Sequence, residues 1–218
     1  MIWATGSVDN FFDDPYEILE YSKKLEYKKS TDGSWPGERT ESTFNFNKDF
    51  FIWTTKKIMA LLYPMNFSSM EWIANQYFQK IDGNIFNNNG WIHADKQNEL
   101  TSIIYLSKHK NCGTNIYDSK KYNCLPINTK QKEESYKNIK KIEEYNKYLI
   151  QNNERYEKTI SFNSKFNRLI FFDGNQYHAA DKFKEENLKE ERLTLITFFH
   201  SIIAPNIKYP IPEMKRII

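Results

Sequence analysis

From Glu71 onward the sequence consists of short runs rich in Ile, Tyr, Phe and Trp, separated by segments rich in Asn, Gly and Asp. Aromatic and β-branched residues favour strands, and dipeptides such as Asp82-Gly83 and Asp173-Gly174 favour turns. The pattern predicts strands near residues 71–80, 90–94, 100–106, 113–117, 159–163, 168–172, 176–180 and 192–202. About eight strands at this spacing indicate a β-sandwich or a barrel.

Helical patterns flank and interrupt these strands. A first helix is predicted to start near Asp14, with Pro15 at its first position, and to end before Asp32-Gly33. A second is predicted over residues 48–63. The segment 129–157 contains no Gly or Pro and has a thin apolar stripe, which predicts a charged surface helix. This insertion either packs outside the sheet or forms a lid that borders the site without touching a metal.

The composition fits one domain of 218 residues, with 1–65 as N-terminal helices and 71–202 as the β core. A net charge of +3, from 31 basic and 28 acidic residues, gives no strong signal for nucleic acid. Two cysteines are too few for a disulfide scaffold. The lack of a signal peptide or a long apolar stretch predicts a soluble, cytoplasmic protein.

A histidine and an aspartate lie two positions apart in Trp91-Ile92-His93-Ala94-Asp95. Residues two apart in a strand face the same side, so His93 and Asp95 would project together. With a remote histidine they would complete the two-histidine, one-carboxylate set that holds octahedral iron(II) and leaves positions open. The pair alone is a weak signal, because a structural hydrogen-bonded pair explains it equally well.

Support for a site comes from the last third of the chain. His178 follows the apolar run Leu169-Ile170-Phe171-Phe172 and the turn at Asp173-Gly174. Arg192 then begins a second apolar run, Leu193-Thr194-Leu195-Ile196-Thr197-Phe198-Phe199. A buried arginine is unfavourable unless it meets a negative charge, and a ligand carboxylate would pair with it bidentately.

In this order of motifs, with Leu100 to Ser107 and Cys112-Gly113-Thr114-Asn115-Ile116-Tyr117 between them, the sequence resembles a known superfamily. Over about residues 71–202 it is similar to 2-oxoglutarate/iron(II)-dependent oxygenases, most of all to the prolyl 4-hydroxylase-like branch. The segment Trp35-Pro36-Gly37-x-Arg39 resembles small oxygenases of phages and bacteria. The resemblance implies a mainly β fold with flanking α-helices, a double-stranded β-helix (jelly roll, cupin-like).

The resemblance also implies residue roles. It assigns iron(II) to His93, Asp95 and His178, and the distal carboxylate of 2-oxoglutarate to Arg192. Tyr105 matches a tyrosine that the prolyl hydroxylase-like branch places near that carboxylate.

Thr194 shares a face with Arg192 and is expected to add a hydrogen bond to the cosubstrate. Dioxygen is the third reactant, with ascorbate as an accessory reductant. Halogenating relatives lack the carboxylate ligand, so Asp95 favours hydroxylation, with release of succinate and CO2.

Two further histidines are not expected to bind the metal. His109 lies in the polar sequence Lys108-His109-Lys110 and is expected to be solvated, and His200 follows Phe198-Phe199. Two other functions are open: a non-catalytic jelly-roll metal-binding protein and a zinc hydrolase that uses the same triad. The sequence does not distinguish a peptide, an amino acid or a small metabolite as substrate, and it leaves the oligomeric state undetermined.

Overall fold

The computed structural model describes residues 3–64, 67–82, 90–120, 129–137, 142–185, 188 and 190–204. Its strands are β1 (Gly6–Val8), β2 (Lys28–Lys29), β3 (Glu38–Arg39), β4 (Glu71–Ile81), β5 (Leu100–Tyr105), β6 (Thr114–Ser119), β7 (Tyr156–Phe162), β8 (Leu169–Asp173), β9 (Tyr177–Ala180) and β10 (Arg192–Ile203). Its helices are α1 (Pro15–Lys23), α2 (Thr43–Phe46), α3 (Lys48–Leu62), α4 (Thr129–Lys137) and α5 (Ile142–Asn153). A short 3-10 helix spans Phe67–Ser69.

The strands form two antiparallel sheets, as the double-stranded β-helix requires. The larger sheet has the order β1-β8-β5-β10-β4-β3-β2, and the smaller one has the order β7-β6-β9. Between them lies a buried cluster in which Ile116 of the smaller sheet packs with residues of the larger sheet, namely Ile103, Tyr105, Ile170, Phe172 and Ile196. The prediction of a mainly β jelly roll with flanking helices is confirmed.

The outer face of the larger sheet is covered by the N-terminal part of the chain. Ile104 and Leu195 on central strands are fully buried against Ile58 and Met59 of α3. The Asp14 carboxylate caps α1 by accepting hydrogen bonds from the backbone amides of Tyr16 and Glu17. Helices α1 and α3 begin where the sequence predicts. They cover one face of the larger sheet, so the opposite face is open toward the site.

The strand predicted at 90–94 is wrong. Only His93 forms a β-bridge, to His178, in this part of the chain. The neighbouring backbone groups bond instead to side chains of α5: the Ile92 amide donates to the Asn153 side chain, and the Ile92 carbonyl accepts from the Asn152 side chain. These hydrogen bonds satisfy the backbone of an irregular segment without a second strand.

The insertion also differs from the prediction of one helix over 129–157. It contains α4 and α5, and β7 already begins at Tyr156. The predicted apolar stripe of the insertion consists of Ile139, Ile142, Tyr145 and Leu149. It is confirmed at Tyr145 and Leu149, which are buried with Trp91 in a separate cluster. Ile139, the Ile142 side chain and the Gly83 half of the Asp82-Gly83 turn lie outside the described residues.

We predict that Gly174→Ala destabilises the protein by about 1–3 kcal/mol, the usual cost of overpacking. A Cβ at this position would overlap the carbonyl oxygen of Asn98 and crowd that of Asp95. Backbone atoms there cannot move away cheaply, because Asp95 donates its amide hydrogen to the Gly174 carbonyl. Chemical denaturation would measure the change in unfolding free energy. Gly6→Ala is the control, since its Cβ meets only the Phe171 ring; an equal loss in both variants would contradict the argument.

Candidate metal centre

Three potential metal ligands converge inside the open end of the β-helix. Atoms of His93, Asp95 and His178 that could coordinate an ion all lie within 4.8 Å of one another. The Nε2 atoms of His93 and His178 lie 3.6 and 3.5 Å from separate carboxylate oxygens of Asp95. Among the residues that the structure describes, this is the only such group of three His, Cys, Asp or Glu side chains.

Both imidazole rings are held with Nε2 facing the carboxylate. Nδ1 of His93 lies 2.8 Å from the Trp91 carbonyl oxygen, and Nδ1 of His178 lies 2.9 Å from that of Gln176. A carbonyl only accepts hydrogen bonds, so Nδ1 carries the proton in each ring. The lone pair of each Nε2 is therefore available to a metal, which is the usual arrangement of histidine ligands.

Burial and neighbouring charges shift the pKa values of His93 and Asp95. Burial lowers the pKa of His93 to about 3, and the charges of Lys132 and His178 contribute. Burial raises the pKa of Asp95, but His178, His93 and a hydrogen bond from Thr101 outweigh it, so the pKa falls below its ordinary value. A neutral imidazole and an ionised carboxylate are the forms that bind metals.

The triad lines a cavity of about 810 Å³ that extends between the two sheets. Arg192 also lines it and is only 4% exposed. Its Nε donates a hydrogen bond of 2.9 Å to the Cys112 carbonyl, and its guanidinium carbon lies 5.5 Å from the centre of the Tyr105 ring. No carboxylate of a described residue lies within 4 Å of this guanidinium, and burial lowers the pKa of Arg192. The predicted inward-facing arginine is therefore found in the same cavity as the triad.

Tyr105 and Thr194 are buried behind Arg192 rather than in the cavity wall. The Tyr105 hydroxyl donates to Thr114 Oγ1 over 2.8 Å, and Thr114 does line the cavity. The Thr194 hydroxyl is buried and has no partner among the described residues. Their assignment to the cosubstrate stays a prediction.

The remaining histidines lie outside the metal cluster. His109 is 1% exposed, so the prediction that it is solvated is wrong. Its Nε2 donates to the Glu190 carbonyl, and its Nδ1 accepts from the Glu185 amide, which places it beneath the loop before β10. His200 lines the cavity, where its Nε2 accepts a hydrogen bond from the Asn75 side chain at 2.9 Å.

Three cationic residues of the cavity were not assigned from the sequence, and one of them, Lys96, is exposed. Arg39, from the Trp35-Pro36-Gly37-x-Arg39 segment, lies on β3, which is next to the edge strand β2, and Lys132 lies on α4. The insertion thus contributes directly to the cavity wall. The only sequence signal was the arginine of that short motif, since Lys132 lies among many lysines of a charged helix.

Several solved structures have a fold similar to that of this chain. SnoN, a non-haem α-ketoglutarate-dependent epimerase from nogalamycin biosynthesis, matches with a TM-score of 0.53 at 13% identity, over 89% of this chain and 76% of its own. HygX from Streptomyces hygroscopicus, solved with nickel and 2-oxoglutarate, matches with 0.53 at 9% identity, over 91% and 83%. A 2OG-Fe(II) oxygenase family oxidoreductase from Burkholderia pseudomallei matches with 0.50 at 10% identity, over 89% and 83%. The protein thus has the fold of the 2-oxoglutarate/iron(II) oxygenases, as the resemblance implied.

The chain belongs to DUF6445, a family of unknown function, whose model matches residues 5–199. No curated protein matches the chain in sequence. Among the described residues, no helix is long and apolar enough to cross a membrane.

We predict that His93→Ala, Asp95→Ala and His178→Ala each weaken Ni(II) or Fe(II) binding at least tenfold, because each removes one ligand atom from the cluster. Isothermal titration calorimetry under anaerobic conditions would measure the affinity. His200→Ala is the matched control, since His200 shares the cavity but lies outside the cluster. If a folded variant bound the metal ion with normal affinity, the residue substituted in that variant would not be a ligand.

Proposed function

We propose that the protein is a 2-oxoglutarate- and iron(II)-dependent dioxygenase that hydroxylates a C–H bond of a peptide, an amino acid or a small metabolite. One observation carries the proposal: the His-Asp-His cluster and a buried arginine without a described carboxylate partner face the same cavity. The structure of HygX, which contains nickel and 2-oxoglutarate, shows that the shared fold accommodates both kinds of ligand.

The donor set fits a ferrous ion. Two neutral imidazoles and one carboxylate occupy one side of an octahedral ion and leave three positions for other ligands. When bound, iron(II) with 2-oxoglutarate and dioxygen supplies oxidative decarboxylation to succinate and CO2, coupled to oxygen transfer. Thr101 donates a hydrogen bond of 3.1 Å to Asp95 Oδ2 and so fixes the carboxylate orientation.

Arg192 would bind the carboxylate of 2-oxoglutarate that lies away from the metal. Its Nε bonds the Cys112 carbonyl, and its side chain also contacts the Tyr105 hydroxyl, which together use only some of the five N–H donors of the guanidinium. The remaining donors would bind the carboxylate. The Tyr105 ring restricts the guanidinium from one side, and its hydroxyl is fixed by Thr114. A negatively charged partner would strongly stabilise the guanidinium in this buried position.

The apolar part of the cavity wall would orient the substrate and exclude water. Ile103 and Ile196 face the cavity from the two central strands, and Phe198 continues the same face of β10. Apolar walls around a reactive centre limit side reactions with water. These side chains hold a C–H bond near the metal without acting as acids or bases.

A zinc hydrolase or a non-catalytic metal-binding protein would use the same triad. Neither needs a buried cation that faces an oxoacid, so Arg192 favours the oxygenase. Anaerobic addition of Fe(II) and 2-oxoglutarate should produce a weak visible charge-transfer band. Aerobic incubation should then release succinate, and mass spectrometry of candidate substrates should detect the gain of one oxygen. Absence of both the band and succinate would contradict the proposal.

We predict that Arg192→Ala weakens 2-oxoglutarate binding roughly 10- to 150-fold, because a charged hydrogen bond contributes about 1.5–3 kcal/mol. Arg192→Lys should lie between Ala and the natural residue, since lysine lacks the planar fork. Titration of the charge-transfer band gives the affinity for 2-oxoglutarate, and Fe(II) affinity serves as the control because the ligands are unchanged. If Arg192→Ala bound 2-oxoglutarate as tightly as the natural protein does, the assignment of Arg192 to the cosubstrate would be excluded.

A further inference from the structure

The cavity has an excess of basic side chains among the described residues. Its cationic residues are Arg39, Lys96, Lys132 and Arg192, and its carboxylates are Asp95 and Glu133. Bound iron(II) and dianionic 2-oxoglutarate would offset each other, so the excess persists with both present. With Arg192 assigned to the cosubstrate, the half-buried cations that remain are Arg39 and Lys132, since Lys96 is exposed.

Arg39 is held inside a group of aromatic rings. Its guanidinium carbon lies 4.8 Å from the Trp35 ring centre, 5.3 Å from that of Phe198 and 5.7 Å from that of Tyr77. Among the described residues, its one side-chain hydrogen bond is long, 3.4 Å from Nη2 to Gln79 Oε1. The rings fix the position of the cation and favour it electrostatically, but they do not neutralise its charge.

Hydrogen-bond donors in this region lack acceptors. Arg39 Nε and Trp35 Nε1 are both buried and have no partner among the described residues. Within that part of the chain, no carboxylate lies within 4 Å of the Arg39 guanidinium or the Lys132 ammonium. Buried donors are almost always paired in native proteins. Unpaired donors that surround a cavity therefore indicate a ligand rich in acceptor oxygens.

Lys132 adds a second positive charge close to Arg39. Burial lowers the pKa of Lys132 to about 8; the Asp95 carboxylate opposes this shift, and the charge of Arg39 adds to it. The ammonium also lies 5.8 Å from the centre of the Tyr136 ring on the same helix. Two like charges in a partly desolvated space repel each other, and an anion between them would relieve the repulsion.

We propose that Arg39 and Lys132 bind an anionic group of the substrate, a carboxylate or a phosphate, separate from the carboxylate that Arg192 binds. The inference rests on the proposed oxygenase function and narrows its substrate class to an organic acid or a phosphate ester. The anion would anchor one end of the substrate between β3 and α4, while the C–H bond to be oxidised faces the triad.

Calorimetry on the full chain loaded with Ni(II) and 2-oxoglutarate tests this proposal. The probes are phenylacetate, phenyl phosphate and the neutral phenylacetamide. We expect both anions or one of them to bind at least tenfold more tightly than the amide, and the tighter anion identifies the group. Arg39→Gln and Lys132→Gln should each weaken that anion roughly 10- to 100-fold, as expected for loss of a charged hydrogen bond.

Matched variants distinguish loss of the anion site from loss of the fold or of the cosubstrate site. Lys96→Gln should bind the probes normally, since Lys96 is an exposed cation of the same cavity. Arg39→Lys should retain part of the affinity, and Lys132→Gln, on the half-buried helix α4, provides an independent test if Arg39→Gln does not fold. Both glutamine variants should bind 2-oxoglutarate within about threefold of the natural protein.

Three outcomes would overturn the inference. Equal binding of the amide and the anions would show that charge is not recognised. A loss of 2-oxoglutarate affinity in Arg39→Gln as large as that in Arg192→Ala would place Arg39 in the cosubstrate site instead. Failure of the natural protein to bind Ni(II) and 2-oxoglutarate would overturn the proposed function and this inference together, whereas the first two outcomes leave the proposed function intact.

Discussion

The arrangement of the site depends on two backbone hydrogen bonds between His93 and His178. The amide of His93 donates to the carbonyl of His178 over 3.1 Å, and the reverse bond measures 2.8 Å. This pair fixes two distant parts of the chain side by side and sets the ring centres 4.6 Å apart. Asp95, two residues further on, is then anchored by its amide to the Gly174 carbonyl. The positions of all three potential ligands thus follow from main-chain bonds, which substitutions of nearby side chains leave intact.

Most strands of the β core and the shared side of His93 and Asp95 were predictable because each depends on local spacing, whereas His178 was assigned through the resemblance to the oxygenases. His93 and Asp95 project together as predicted, although their segment contains a bridge instead of a strand. The cause lies far away in the sequence. The side chains of Asn152 and Asn153, about 60 positions away, form the hydrogen bonds with the Ile92 backbone that a neighbouring strand would otherwise form. No pattern within residues 90–95 contains that information.

The side of the cavity that Arg39 and Lys132 line was not predictable for the same reason. Strand β3 has only two residues and no apolar period, and Arg39 reaches the cavity only because it pairs with Gln79 on β4. Lys132 resembles the other lysines of a charged helix until α5 packs against the sheet through Tyr145 and Leu149. The burial of His109 was not predicted because its acceptor and donor, at Glu190 and Glu185, lie about 80 positions further along the chain.

Arg39 belongs to a row of paired residues that crosses the larger sheet. Arg39 pairs with Gln79, Gln79 with Thr194, and Thr194 with Tyr105. Gln79, Thr194 and Tyr105 lie on β4, β10 and β5, and β10 also contains Arg192. Arg39 lies on β3, which forms a short two-stranded ribbon with β2 at the margin of the sheet. Mutations that change the length or the charge of this ribbon would leave the central strands unchanged. The residues that we propose to bind the substrate anion can therefore change in evolution without altering the residues that we propose to bind the metal and the cosubstrate.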